Sequence, residues 1–330
     1  MTDTKAATGE QLSRSTELKT AYSAGAKAPA APAPRVKGPL VWLDMDQKEL
    51  DDAYDQSVYA PNQEHVSNRR RLWCERVIAR LGPPQRVAYG PSEIEKLDIY
   101  KTRRGNAPVH VFIHGGAWRN GSAEASAFPA EMFVAAGAHY IALDFVSVTE
   151  AGGNLMPMVE QVRRAIAWIY KNAASFGGDP TRLYLSGHSS GAHLAGVALV
   201  TDWKKDFGLP PDILKGGLCV SGMYDLKAVR LSKRSKYVKF DDAIEEAISS
   251  QRHLDKLNAP LIVGHGTLET PEFQRQARDF VAAVKAAGKP VQFIVGEGYN
   301  HFEMSETFGN PFGLIGRAAL EQMQLSFGNG

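Results

Sequence analysis

The stretch Leu183-Tyr184-Leu185-Ser186-Gly187-His188-Ser189-Ser190-Gly191-Ala192-His193-Leu194 decides how this chain of 330 residues reads. Arg182–Ser186 has the pattern of a strand and Gly191–Thr201 that of a helix. Between them lies Gly187-His188-Ser189-Ser190-Gly191, a G-x-S-x-G. A serine at its centre sits on a sharp strand-to-helix turn with its hydroxyl exposed, and the flanking glycines let other backbone approach closely. The helix N-terminus offers amides to a developing anion. A bare G-x-S-x-G also arises as an ordinary Gly/Ser turn. The strand running in and the helix running out mark Ser189 as a candidate nucleophile.

Upstream, the apolar run Val109–Ile113 reads as a buried strand and leads into His114-Gly115-Gly116-Ala117-Trp118. A Gly-Gly loop after such a strand can aim amides at the oxygen that gains charge in acyl transfer. Gly115 and Gly116 are therefore candidate oxyanion donors, together with the amide of Ser190, the residue after the nucleophile. His114 reads as structural, and Trp118 as either pocket wall or core.

A serine hydroxyl needs a base, and the base needs an orienting carboxylate. His301, in Gly298-Tyr299-Asn300-His301-Phe302 after the last expected strand, fits the base. His188 and His193 sit too near Ser189 on the elbow and its helix, and read as lining or packing residues. Their i, i+5 spacing does not share a helical face, so no zinc site is expected. For the acid, Glu269 lies just past the strand Leu261–Gly264. Asp225 and Glu272 remain alternatives, Glu272 reading better as the opening of a helix near Pro271. The chain order Ser189, Glu269, His301 suits this architecture.

Around these motifs strands and helices alternate. Strands are expected at Arg86–Tyr89, Glu95–Tyr100, Tyr140–Asp144, Gly216–Ser221 and Val291–Val295, besides the three already named. Helices are expected at Gln47–Asp55, Ser67–Leu81, Phe128–Ala136, Pro157–Phe176, Phe240–Ser249, Glu272–Ala287 and Gly313–Phe327. This alternation predicts an α/β fold with a mainly parallel, eight-stranded sheet and helices on both faces. From Ala21 to Pro34, seven of fourteen residues are Ala and three are Pro, so 1–38 is expected to be a flexible tail and 39–330 a single domain. The helical segment 45–82 is expected on or near the pocket, and 37–81 or 227–257 could cover it. Arg230, Lys233, Arg234, Lys236 and Lys239 could attract an anionic substrate but read better as a solvated loop, and Arg69-Arg70-Arg71 reads as an exposed helix face.

Composition narrows the class. A formal net charge of +2 gives no reason to expect a nucleic-acid partner. No apolar run reaches the ~18–20 residues of a membrane span. The two cysteines, Cys74 and Cys219, form no disulfide framework, and no signal-peptide pattern opens the chain, so a cytoplasmic location is expected. A homodimer is compatible with the sequence.

The motifs together resemble the α/β-hydrolases of the HGG-bearing esterase/lipase branch, and within it the kynurenine formamidases (arylformamidases). The resemblance rests on Glu49-Leu50-Asp51-Asp52-Ala53-Tyr54, His114–Trp118, Gly187–Leu194, Ser221-Gly222-Met223-Tyr224-Asp225-Leu226, Thr270-Pro271-Glu272-Phe273 and Asn300-His301-Phe302-Glu303. It spans about residues 45–325. In that family the acid precedes a [ST]-P-E-F stretch, which implies Glu269 here, although the family acid is usually Asp and Glu reaches one carbon further. The stretch Arg230–Lys239 has no clear family counterpart. The resemblance implies a serine hydrolase acting on a small aryl formamide such as N-formylkynurenine, without metal or organic cofactor. Trp118, His188, Tyr224 and Phe302, with Phe145, are the expected pocket residues. A carboxylesterase for short acyl esters, an aryl amidase or carbamate hydrolase, and a non-catalytic binding protein on the same fold are the alternatives.

Overall fold

The computed structural model describes residues 35–327. The expected tail therefore lies almost wholly outside the described residues. A short ribbon of β1 (Leu40–Trp42) and β2 (Met45–Asp46) comes first. The main sheet is built from β3 (Gln85–Ala88), β4 (Lys96–Tyr100), β5 (Ala107–Ile113), β6 (His139–Leu143), β7 (Gly178–His188), β8 (Leu214–Val220), β9 (Leu261–Gly266) and β10 (Val291–Gly296). Its order is β10-β9-β8-β7-β5-β6-β4-β3. From β10 to β6 every pairing is parallel, and β4 and β3 join antiparallel at one edge. The eight-stranded, mainly parallel sheet expected from the sequence is present.

The helices are α1 (Gln47–Ala53), α2 (Gln63–Leu81), α3 (Ala130–Ala135), α4 (Met156–Asn172), α5 (Ser190–Leu199), α6 (Trp203–Phe207), α7 (Lys227–Leu231), α8 (Asp242–Ile248), α9 (Pro271–Ala286), α10 (His301–Glu306) and α11 (Leu314–Gln322). Side chains alternate across each strand, so the sheet feeds two cores. Val109, Val111 and Ile113 of β5 join one core with α4, α5 and α9, whereas Phe112 joins the other with α2, α3 and α11. Strands β6, β8 and β9 split in the same way. A parallel sheet covered on both faces needs apolar residues at successive positions, which is why these strands read as continuous apolar runs.

Most departures from the expected boundaries have local causes. α3 starts after Pro129 rather than at Phe128, and Gly137 at φ +87° follows its end. α8 begins at Asp242 because the Asp241 side chain accepts from the Ile244 amide and caps it. α11 stops at Gln322, and Gln324 then turns to φ +56°. α4 gives way to a 3₁₀ turn over Ala173–Phe176. α6, α7, α10 and the β1–β2 ribbon were not expected. Among the described residues no helix is long and apolar enough to cross a membrane.

Candidate active site

The elbow sits at the centre of the sheet, between the carboxyl end of β7 and α5. Ser189 adopts φ +58°, ψ −125°, a strained conformation for a residue with a side chain. Its amide donates to the Val220 carbonyl at 2.9 Å, which ties the turn to β8. The two glycines of the motif are required by packing. A Cβ on Gly187 would lie 2.2 Å from the Gly191 carbonyl oxygen, and one on Gly191 2.1 Å from that of Ile113. Both obstacles are backbone and cannot swing aside. Gly191→Ala should therefore destabilise the fold by at least about 2 kcal/mol, measured as a lowered Tm. An unchanged Tm would refute this account of the motif.

The loop after β5 reaches the same point. A Cβ on Gly115 would lie 3.1 Å from Ser189 Cβ and 2.7 Å from the His188 carbonyl oxygen, so only glycine lets the strand end come so near. Among the described residues neither the Gly115 nor the Gly116 amide donates to another group. Ser190 opens α5, where amides have no intrahelical partner. Ala117 and Trp118 follow at φ +56° and +62°. The turn is pinned by the Trp118 amide, which donates to Ser190 Oγ at 3.1 Å.

His301 opens α10. Asn300 and Glu303 form a reciprocal capping box around that helix start, which fixes where the imidazole begins. His301 Nε2 lies 2.9 Å from Ser189 Oγ, and His301 Nδ1 lies 2.8 Å from Glu269 Oε2. The other carboxylate oxygen of Glu269 accepts from Ser221 Oγ at 2.5 Å and from the Gly266 amide at 2.8 Å. Glu269 is buried, as are Ser189 and His301. A hydroxyl hydrogen-bonded to an imidazole, itself oriented by a carboxylate, can deliver a nucleophilic oxygen without releasing a free proton.

The other acids are engaged elsewhere. Asp225 is held by Arg252 through contacts of 2.9 and 3.1 Å. Glu272 accepts from Tyr54 Oη at 2.9 Å and Trp42 Nε1 at 3.2 Å and is forked by Arg275. It thus ties the ribbon and α1 to α9. Neither bonds to His301. His193 accepts from Trp118 Nε1 at 3.2 Å and faces the Ile248 carbonyl through Nε2 at 3.0 Å; burial pulls its pKa down to about 4, so it is a neutral packing residue. His188 is also held neutral, by burial first and then by His301 and Arg70. Its Nε2 donates to the His301 carbonyl at 2.9 Å.

Ser189 opens into a cavity of about 500 Å³ whose wall includes His114, His188, Phe302, Arg70 and Arg234. Tyr54, Gln56 and Gln63, from the N-terminal helical segment, also line it. Three expected pocket residues do not. Trp118 is turned inward onto His193, Tyr224 is fully buried and stacks on Phe280 at 4.1 Å, and Phe145 stacks behind His114 at 4.2 Å. The basic stretches also differ from expectation. Arg70 turns into the cavity and donates to Ser305 Oγ at 2.8 Å, while Arg69 and Arg71 stay outside. Arg234 is buried and Lys233 pairs with Asp55, so this part of the loop is built into the wall rather than solvated. Ser221, Gln56 and Arg70 are the site residues that sequence reasoning missed, whereas Arg234 was read mainly as part of a solvated loop. Ser221 had a signal, since it opens the segment Ser221–Leu226, and Arg234 had one in the basic cluster that could attract an anionic substrate.

This fold, with its elbow and Gly-Gly loop, defines an α/β-hydrolase of the HGG-bearing esterase/lipase branch. Residues 97–214 match the BD-FAE family. The chain is 30% identical over 279 residues to the kynurenine formamidase of Danio rerio, covering 80% of this chain and 92% of that one. It is 30% identical over 259 residues to the kynurenine formamidase of Salmo salar, covering 74% and 85%. Among solved structures it is similar to a thermophilic esterase of Thermogutta terrifontis with bound propionate, with a TM-score of 0.60, 23% identity and coverage of 74% and 93%. The chain belongs to the kynurenine formamidase family. It is an arylformamidase-like or esterase-type hydrolase.

Proposed function

We propose that the chain cleaves a small aryl formamide, of which N-formylkynurenine is the reference member, through a formyl-enzyme on Ser189. Ser189 Oγ attacks the formyl carbon and passes its proton to His301 Nε2. Glu269 holds the imidazole in the Nδ1–H tautomer and stabilises its cation. The amides of Gly115, Gly116 and Ser190 take the oxyanion. His301 then gives the proton to the departing aryl amine as the C–N bond breaks. Water, deprotonated by His301, attacks the formyl ester; formate leaves and the serine proton returns. The observation that carries this reading is the unbroken hydrogen-bonded path from Glu269 through His301 to Ser189 at the wall of the cavity. The same path argues against a non-catalytic binding role. A cytosolic setting is in keeping with two buried cysteines that form no disulfide.

The specific reading is supported by likeness to kynurenine formamidases over most of their length. Hydrolysis of short acyl esters is the second reading, favoured by the likeness to an esterase holding propionate. A panel of N-formylkynurenine, p-nitrophenyl acetate and p-nitrophenyl butyrate separates them. The expected result is a higher kcat/KM for the formamide than for either ester. The reverse order would make the protein an esterase.

A further inference from the structure

The cavity wall carries an excess of positive charge. Arg70, Arg119, Lys233 and Arg234 line it against a single carboxylate, Asp55, among the described residues. Lys233 takes that carboxylate as an ion pair. Arg119 lies exposed over the Tyr237 ring at 4.4 Å, and Arg70 has Ser305. Arg234 differs from all of these because it is only 6% exposed. Its Nη1 donates to Tyr237 Oη at 2.7 Å, its Nη2 to the Tyr54 carbonyl at 3.2 Å, and its guanidinium lies over the Trp118 ring at 5.5 Å. Each of these partners is neutral, and Nε has none. A guanidinium keeps its proton when buried, so a lack of counter-charge must be met by an anion or left as a large cost.

A second group in the same wall is also incomplete. Gln56 is 7% exposed, and neither its amide nitrogen nor its amide oxygen has a partner. The Tyr54 carbonyl that Arg234 holds lies two residues before it. A buried cation without an acid and a buried amide without a partner, both lining the cavity of Ser189, share one remedy. A carboxylate brought in by the substrate supplies the missing charge and the missing acceptor, and it matches the planar fork of a guanidinium.

We infer that Arg234, with Gln56, recognises a carboxylate on the substrate, so that the site selects leaving groups carrying one. The inference rests on Ser189 being the reacting group of this cavity. A formyl group has no atom that could bear the anion, so in a formamide the carboxylate belongs to the aryl amine portion.

Matched substrate pairs test this. One pair is the desamino analogue of N-formylkynurenine, which keeps the carboxylate, and its primary amide. The other, independent of the formamide reading, is 3-(4-acetoxyphenyl)propionate and its primary amide. In the wild type, kcat/KM for the carboxylate member should exceed that of its neutral partner roughly tenfold to a hundredfold. Arg234→Met should bring the ratio towards one. Gln56→Glu, which gives the guanidinium a counter-charge from the protein itself, should do the same while Tm is kept or raised. That second variant keeps the test open if Arg234→Met does not fold. A wild-type ratio at or below one overturns the inference, as does a ratio unmoved by Gln56→Glu or by folded Arg234→Met. Turnover of the ester pair alone would remove the formamide reading and still report the carboxylate from the ester ratio. Turnover of neither pair would remove both.

Discussion

Ser189→Ala should lower kcat for formamide and ester alike by about 10⁴–10⁶-fold while leaving the fold intact. The loss is large because, among the described residues, Ser189 is the one hydroxyl bonded to the His301 imidazole. What survives is the contribution of oxyanion donors and substrate binding, which act without the serine. The fold should hold because the strained backbone at φ +58° is set by surrounding contacts, chiefly the bond from the residue 189 amide to the Val220 carbonyl, which alanine keeps. His301 keeps Glu269 and its place at the start of α10. Tm by circular dichroism, measured beside initial rates, separates chemistry from folding. Turnover within tenfold of wild type in a folded variant would mean that the reaction does not pass through Ser189.

The sheet was legible because its physics is local. Buried parallel strands must be apolar at consecutive positions, and Val109–Ile113 or Leu183–Leu185 show this without any knowledge of neighbours. The elbow and the Gly-Gly loop were legible for a similar reason. Gly187, Gly191 and Gly115 stand where backbone passes within a bond length or two of an absent Cβ. Helix ends were less legible, since a single capping side chain or proline moves them. α10 was overlooked although Asn300 and Glu303 carry a capping pair three residues apart. It is six residues long, too short for a periodic apolar pattern to declare itself.

The cavity wall was hardest to read, because its partners come from far along the chain. Arg234 is held by the carbonyl of Tyr54, 180 residues away, and Lys233 by Asp55, 178 residues away. A run of basic residues is normally solvated, and only this long-range pairing draws two of them inward. Aromatic residues misled in the opposite sense. Trp118 and Tyr224 flank the chemistry in sequence, yet each ring turns to the core. Left-handed backbone at residues 117 and 118 leads the indole to His193, and the Tyr224 hydroxyl reaches back to the Cys219 carbonyl at 3.2 Å. Proximity to a motif therefore predicted backbone well and side-chain direction poorly.

Glu269→Gln should lower kcat by about 10³–10⁴-fold with little change in Tm, through the tautomer of His301 rather than through lost packing. The Glu269 carboxylate accepts all three of its hydrogen bonds, from His301 Nδ1–H, Ser221 Oγ–H and the Gly266 amide. A glutamine has one accepting oxygen and one donating nitrogen to place among these three donors. The Gly266 amide is fixed backbone and cannot accept, so the oxygen must stay on that side and the NH₂ must face the imidazole. Nδ1 then becomes an acceptor, the ring proton moves to Nε2, and His301 presents a donor to Ser189 where a base is required. The Ser221 hydroxyl cannot relieve this, since its rotation leaves the Gly266 amide unchanged. Glu272→Gln, by contrast, loosens the Arg275 pair and the docking of Trp42 and Tyr54, and should lower Tm more than kcat. Asp225→Asn should act likewise through Arg252. Rates and melting curves of the three variants together decide the point. A Glu269→Gln enzyme turning over near the wild-type rate, beside a slow Asp225→Asn or Glu272→Gln enzyme, would move the orienting acid to that residue.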